Sequence, residues 1–318
     1  MKDSKKQKKK SKEESKYQQF TPFLPLTLFF TVLISLFVLN ANIQRQIEKR
    51  GILVNPVSSF SPSFYPILKE PISSSISAKS ALIMDDESKV VLFSKNKDVR
   101  FSMASTVKIM TALVALDYYR MDDVLTVLDN NISGVKVGFQ TGEKIRFEDL
   151  LYAMLLPSGN DAALIIAQNY PGGMEIFVEV MNEKAKDLYL FSTHFSDSAG
   201  LKDDGDYTTV IDLARLASTA VKNKTFANIV STKYKEISNI DGSRGYELRN
   251  LNRLLGINGV DGIKTGFTDE AGGVLVTSAL QDGHTLIIVV MKSQDRFLDT
   301  ETLLSSLKGN LTFLPIRP

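Results

Sequence analysis

The 318-residue sequence has no cysteine. Disulfides, cysteine-type zinc sites and thiol nucleophiles are therefore excluded together. Only two histidines occur, His194 and His284, and no HxxxH or HxxE pattern links them. A histidine-held zinc site is not expected, and no other metal site is indicated. A Ser-His-Asp triad would have few histidines to draw on, so a nucleophilic serine is expected to use another base. Charge is missing from one long stretch: no charged residue lies between Tyr17 and Gln44.

What is present divides the chain into four parts. Residues 1–16 carry eight lysines against Asp3, Glu13 and Glu14, although the whole chain has a net charge of only +2. Such a cluster can read as a nucleic-acid patch. Here it precedes the uncharged run, so residues 1–19 are expected to be a basic cytoplasmic tail and no nucleic acid is expected as a partner. Phe20–Leu39 reads FTPFLPLTLFFTVLISLFVL, and about 20 helical residues span a bilayer core of ~30 Å. Residues 20–41 are expected to form a single transmembrane anchor, the alternative being a cleaved signal peptide. A cut after Ala41 would place Leu39 where a small residue is preferred. The lysines predict an inward N-terminus and a single-pass protein in the cytoplasmic membrane, with its main domain extracytoplasmic. Residues 42–78 interleave Pro56, Pro62, Pro66 and Pro71 with serines, the composition of a semi-extended linker. Phe60, Phe64, Tyr65 and Ile67 are apolar enough for part of it to lie on the domain surface.

Residues 79–318 read as one globular domain; 43% hydrophobic content over the chain allows a sizeable core. Ser80–Met84 and Val90–Ser94 flank Asp85-Asp86-Glu87-Ser88 as a hairpin. Ser105–Tyr119, Phe147–Leu156, Ala162–Gln168, Glu175–Leu188 and Thr209–Lys222 read as helices. Gly273–Leu280 and Thr285–Lys292 form a second hairpin, and Arg296–Lys308 a final helix. Strands at both ends with helices between predict an α+β domain whose terminal strands share a sheet.

Three short patterns occur in order: Ser105-Thr106-Val107-Lys108 (SxxK), Ser158-Gly159-Asn160 (SxN) and Lys264-Thr265-Gly266 (KTG). That such a trio accompanies penicillin-binding proteins and β-lactamases is a known association. Each pattern alone is weak, since Ser94–Lys97, Ser133–Lys136 and Ser305–Lys308 also fit SxxK. Context separates them. Residues three apart on a helix meet at ~5–6 Å. Ile109, Met110, Ala112, Leu113 and Val114 would carry Lys108 into an apolar core, where a charged amine is disfavoured and can act as a base. The plainer alternative makes Ser105 a helix cap and Lys108 a snorkelling side chain. Ser158 and Asn160 lie in a loop between two apolar helices, suited to relaying a proton and orienting an amide, or to capping a helix. Lys264 and Thr265 suit a carboxylate, and Gly266 leaves room for a peptide at a strand edge, unless this is an ordinary strand end.

The stretches around these patterns resemble the low-molecular-mass penicillin-binding proteins, the serine D-Ala-D-Ala carboxypeptidases of peptidase family S11. They are Ala104–Leu113 (ASTVKIMTAL), Leu150–Ala163 (LLYAMLLPSGNDAA) and Gly259–Thr268 (GVDGIKTGFT), with Ala271-Gly272, Thr193–Leu201 and Leu248–Leu255 agreeing. The likeness covers about residues 79–308. It implies a β-lactamase/DD-peptidase-like fold, an antiparallel sheet flanked by helices. It implies that Ser105 attacks the penultimate D-Ala carbonyl of a peptidoglycan stem peptide, that Lys108 activates it, and that Ser158 and Asn160 move protons and hold substrate. Lys264 and Thr265 would bind the terminal carboxylate beside Gly266. The backbone N–H groups of Ser105 and Phe267 would form the oxyanion hole. No cofactor is implied, and β-lactams would acylate Ser105. Many relatives continue into a small β-domain and an amphipathic membrane helix; here the N-terminal segment is expected to serve as the anchor instead.

A β-lactamase shares the three patterns but needs a carboxylate for deacylation, usually in ExxLN, and none follows Asn160. A D,D-endopeptidase would use the same residues with a roomier pocket. A penicillin-sensing domain without turnover is a further alternative, discriminated by whether Lys108 is charged or exposed.

Overall fold

The computed structural model describes residues 64–316 apart from positions 74 and 203. The basic tail, the apolar segment 20–41 and residues 42–63 lie outside the described residues, and among those described no helix is long and apolar enough to cross a membrane.

In chain order the elements begin with β1 (Phe64–Leu68), β2 (Ser80–Asp85), β3 (Val91–Lys95) and β4 (Phe101–Ser102). A 3-10 turn, Ala104–Val107, leads into α1 (Lys108–Tyr118). Next come β5 (Val124–Thr126), β6 (Lys144–Arg146), α2 (Phe147–Leu155), α3 (Asn160–Gln168) and α4 (Gly173–Asp187). They are followed by β7 (Tyr207–Thr208), α5 (Val210–Val221), α6 (Lys224–Val230), β8 (Tyr234–Ser238) and β9 (Gly245–Arg249). The chain then returns to the sheet with β10 (Val260–Thr268), β11 (Gly272–Gln281) and β12 (His284–Ser293), and ends with α7 (Arg296–Leu307) and β13 (Leu311–Pro315).

The main sheet is antiparallel, in the order β10-β11-β12-β2-β3. The expected sharing of one sheet by early and late strands takes the form of β2 against β12, with Ile83 opposite Ile288. Period-two alternation sends neighbouring side chains to opposite faces. Leu82, Met84, Val276 and Val289 join the larger core with Ile109, Met110, Leu151, Met154 and Ile165 of the helical layer. Ala81, Ile83, Leu275, Ile288 and Val290 join a second cluster with Leu303, Leu304 and Leu307 of α7. Both faces are buried, so these strands read as unbroken apolar runs. Each large side chain so buried contributes about 1.5–3 kcal/mol.

Two readings at the domain ends are corrected. The stretch read as linker from Phe64 onward is folded: β1 pairs with β13, from Phe64↔Pro315 to Leu68↔Leu311. Ser77 and Ala78 are tied to Asp299 of α7 through their backbone N–H groups, at 2.8 and 2.7 Å. Pro66 is tolerated because this ribbon has only two strands, so each strand is an edge. The chain also closes with strand β13 rather than with the final helix.

Candidate active site

Ser105 lies in the 3-10 turn, and Lys108 opens the helix that follows. This differs from the simple helix expected, and it sharpens the geometry, because residues three apart eclipse on a 3-10 turn. Lys108 Nζ is 2.8 Å from Ser105 Oγ. The capping alternative does not hold, since the turn begins at Met103 without a side-chain cap. Nor does Lys108 snorkel; it is 0% exposed.

Two further oxygens surround the amine. Lys108 Nζ donates to Asn160 Oδ1 at 2.8 Å and to the Ala199 carbonyl at 2.6 Å. Asn160 is oriented by its own amide, whose Nδ2 donates to the Ser133 carbonyl at 2.7 Å. A neutral amine has two N–H groups and one lone pair. With both N–H groups on oxygens that only accept, the lone pair is left for the Ser105 hydroxyl. Burial lowers the Lys108 pKa from 10.5 to about 7, against the opposing pull of the Asp197, Asp161 and Asp206 carboxylates.

Backbone-binding carboxylates hold the surrounding loops. Asp161, buried in the first turn of α3, accepts from Val137 N at 3.0 Å and Gly138 N at 2.8 Å, fixing the loop that carries Ser133. Across the site, Gly200 adopts φ +80°, and a Cβ there would stand 2.0 Å from the Ala104 carbonyl oxygen. Only glycine lets this segment approach the turn bearing Ser105. Ala104 and Ser158 themselves take left-handed backbone, with φ +46° and +66°. For residues with a Cβ this costs about 1–3 kcal/mol, and such strain gathers at functional sites. Ser158 is buried two residues before Asn160.

Strand β10, the edge of the main sheet, forms the opposite wall. A Cβ on Gly266 would lie 3.2 Å from Met103 O, Ala104 Cβ and Ser105 N, so the strand backbone abuts the nucleophile turn. Lys264 and Thr265 are buried, and Lys264 Nζ donates to the Thr265 carbonyl at 3.0 Å. Burial first, then the charges of Lys108 and Arg296, hold the Lys264 amine well below its ordinary range. Phe267 is 61% exposed, at the rim.

Lys108 thus meets both Ser105 and Asn160 directly, and Gly266 lies against the turn that carries the serine. Lys264 is coupled to Lys108 by charge rather than by contact. Sequence reasoning missed two features. Arg296, whose side chain packs where a Cβ on Gly273 would reach, adds a cation whose charge acts on Lys264. The Ala199 carbonyl serves as a lysine acceptor, and a backbone oxygen leaves no residue-type signal. The stretch Thr193–Leu201 that contains it was nonetheless visible as a resemblance.

Comparison with known proteins gives the family and the fold. The family described as D-alanyl-D-alanine carboxypeptidase, peptidase S11, matches residues 67–295. The D-alanyl-D-alanine carboxypeptidase DacF of Bacillus subtilis is 33% identical over 67% of this chain, and the match spans 57% of that relative's length. The D-alanyl-D-alanine endopeptidase of Pseudomonas aeruginosa is 32% identical over 77% of this chain and 82% of its own. The crystal structure of the DD-transpeptidase of Streptomyces K15 superposes with a TM-score of 0.70 at 32% identity, covering 75% of this chain and 99% of that one. The chain belongs to the S11 family of D-alanyl-D-alanine carboxypeptidases, and its fold is that of the DD-peptidases and penicillin-binding proteins.

Proposed function

We propose that the protein is a serine D-alanyl-D-alanine carboxypeptidase that removes the terminal D-Ala of peptidoglycan stem peptides. The observation that carries this reading is the Lys108 amine, fully buried, 2.8 Å from Ser105 Oγ and held by two acceptors. The terminal carboxylate of the substrate would bind at Lys264 and Thr265, favouring the charged form of Lys264. The peptide would lie along the free edge of β10, whose backbone abuts the nucleophile turn at Gly266. Ser105 Oγ attacks the penultimate D-Ala carbonyl carbon as its proton passes to Lys108 Nζ. The oxyanion would be met by the N–H groups of Ser105 and Phe267. The C–N bond then breaks, and Ser158 passes a proton from Lys108 to the leaving amine. Water hydrolyses the Ser105 ester by the reverse relay. Penicillins, which present a carboxylate beside a reactive amide, would stop at the ester.

D-alanine release tests this reading. The full-length protein in detergent should release D-Ala from a peptide ending in Lys-D-Ala-D-Ala, and Ser105→Ala should not. Equal release by Ser105→Ala would refute the nucleophile assignment. The similarity to an endopeptidase supports a second reading, cleavage of crosslinked stem peptides at the same serine. Conversion of crosslinked dimers to monomers without D-Ala release would favour it.

We further propose that residues 20–41 anchor the chain in the cytoplasmic membrane with the catalytic domain outside. The uncharged run and the lysines before it support this topology. The full-length protein should resist carbonate extraction and be cleaved by protease added to spheroplasts. A soluble mature form starting after Ala41 would instead establish a signal peptide.

A further inference from the structure

Lys108 meets the Ala199 carbonyl because two carboxylates hold the segment 196–202. Asp197 accepts from four consecutive backbone N–H groups: Ala199 and Gly200 at 2.6 Å each, Leu201 and Lys202 at 2.9 Å each. Charge-assisted bonds of this kind are about twice as strong as neutral ones, so four of them make the loop a stiff template. Asp206 grips the same segment where it begins. Its Oδ1 accepts from Ser196 N at 2.6 Å and Ser196 Oγ at 3.1 Å. Asp206 is 1% exposed, and its Oδ2 is buried without a hydrogen-bond partner among the described residues. An unmatched buried carboxylate oxygen is costly to keep. The loop delivers two contacts to the reacting centre, the Ala199 oxygen on Lys108 and Gly200 against the backbone of Ala104.

We propose that Asp197 and Asp206 are positioning residues for the reaction, setting where the Ala199 carbonyl sits and how firmly Lys108 holds its proton. This rests on the reading of Lys108 as the base for Ser105. The charges acting on Lys108 and on its neighbour Lys264 come from every side: Asp197 and Asp206 from the loop, Asp161 from α3, Lys264 from β10 and, through Lys264, Arg296 from α7. Asp206 itself faces Asp197. Both loop carboxylates favour the ammonium form, so removing either one should let Lys108 become neutral at lower pH. Burial first, and then Asp197, push Asp206 up to about 7, into the range where Lys108 titrates. Ionisation of Asp206 strengthens the hold of Lys108 on its own proton. Two groups coupled in this way titrate over a wider span than either would alone.

The test compares full-length wild type with the isosteric variants Asp197→Asn and Asp206→Asn. Asp85→Asn is the control, a buried acid hydrogen-bonded to Ser88 outside the site. Two quantities are read across about pH 5 to 9: the rate of Ser105 acylation by a fluorescent penicillin, and the titration midpoint of Lys108 by NMR of labelled lysine. Asp197→Asn is expected to lower the plateau rate about 10²-fold, the effect of an ångström-scale misplacement, and to move the acid limb to lower pH. Asp206→Asn should lose less rate, and its limb should narrow to a single proton at lower pH. Asp85→Asn should move neither. An unmoved Lys108 midpoint in both folded loop variants, or an equal movement in Asp85→Asn, overturns the proposal. A midpoint that moves while the acylation limb stays put shows that the loop carboxylates act on Lys108 but refutes Lys108 as the base, and with it their role in the reaction. If Asp197→Asn does not fold, Asp206→Asn decides by the same criteria.

Discussion

A lysine buried beside a serine, proposed as its base, is also a structural burden. Its folded pKa of about 7 lies below its ordinary 10.5, so between those values the unfolded chain binds more protons and stability rises with pH. At neutral pH the residue therefore works against folding. Lys108→Met should abolish penicillin acylation while raising stability by about 1–4 kcal/mol, as replacing a buried charge with a hydrophobic side chain often does; a thermal melt and a labelling gel check the two arms. In the wild type, acylation should climb with pH and level off above about 7 as the amine loses its proton. A flat profile from pH 5 to 9 would contradict a lysine base. Gly200→Ala makes a steric prediction at the same scale. Its Cβ would strike the Ala104 carbonyl, so the variant should lose about 1–3 kcal/mol and acylate slowly even when folded. The spacing of Ser105 and Lys108 and the apolar residues that follow suggested the pair, and the three patterns together with the resemblance of the surrounding stretches singled it out from the capping alternative. The reason the lysine is aimed was not legible, because it lies in an amide flip set by Ser133 and in the carbonyl of an alanine.

Among the elements, α7 joins the two ends of the domain through one carboxylate. Asp299 accepts from Ser77 N and Oγ at 2.8 Å each, Ala78 N at 2.7 Å and Ser293 Oγ at 2.5 Å. Burial acts to raise its pKa, but the Ser293 and Ser77 hydroxyls and the backbone N–H groups of Ser77 and Ala78 outweigh it and hold the carboxyl below its ordinary 3.8. Its contribution is thus present above that pH and lost as the solution is acidified through the lowered pKa. Asp299→Ala should destabilise by about 3 kcal/mol, since several buried donors lose their acceptor, and should leave acylation of the folded fraction largely intact. Loss of acylation without loss of stability would mean that α7 acts on the site directly. Most helices and both hairpins of the main sheet were readable from period and turn signals, but the seven-residue α6 was not, being too short to show a helical period. Strand β1 was not, because Pro66 and the serines that follow carry the composition of a linker while the pairing partner lies at the far end of the chain. The hairpin β8–β9 also went unread, since its exposed face gives a mixed pattern.

For the molecule as a whole, the domain boundary follows from these ties. A fragment covering 64–318 keeps β1 and the Ser77–Asp299 bonds, whereas 79–318 loses both. The shorter fragment should be less stable by on the order of 2–4 kcal/mol, read as a lower melting temperature; identical melts would mean the ribbon contributes nothing. The sheet order has a kinetic consequence as well. Strand β2 has β3 as an early partner, but its other edge waits for β12, so that Ile83 meets Ile288 only after most of the domain has been delivered. Contacts so distant along the chain slow folding, and incomplete chains expose unpaired strand edges. A nascent chain shorter than about residue 293 therefore carries an apolar hairpin with nothing to close against. The domain would assemble only once nearly all of it has emerged, and until then it would depend on whatever shields that edge.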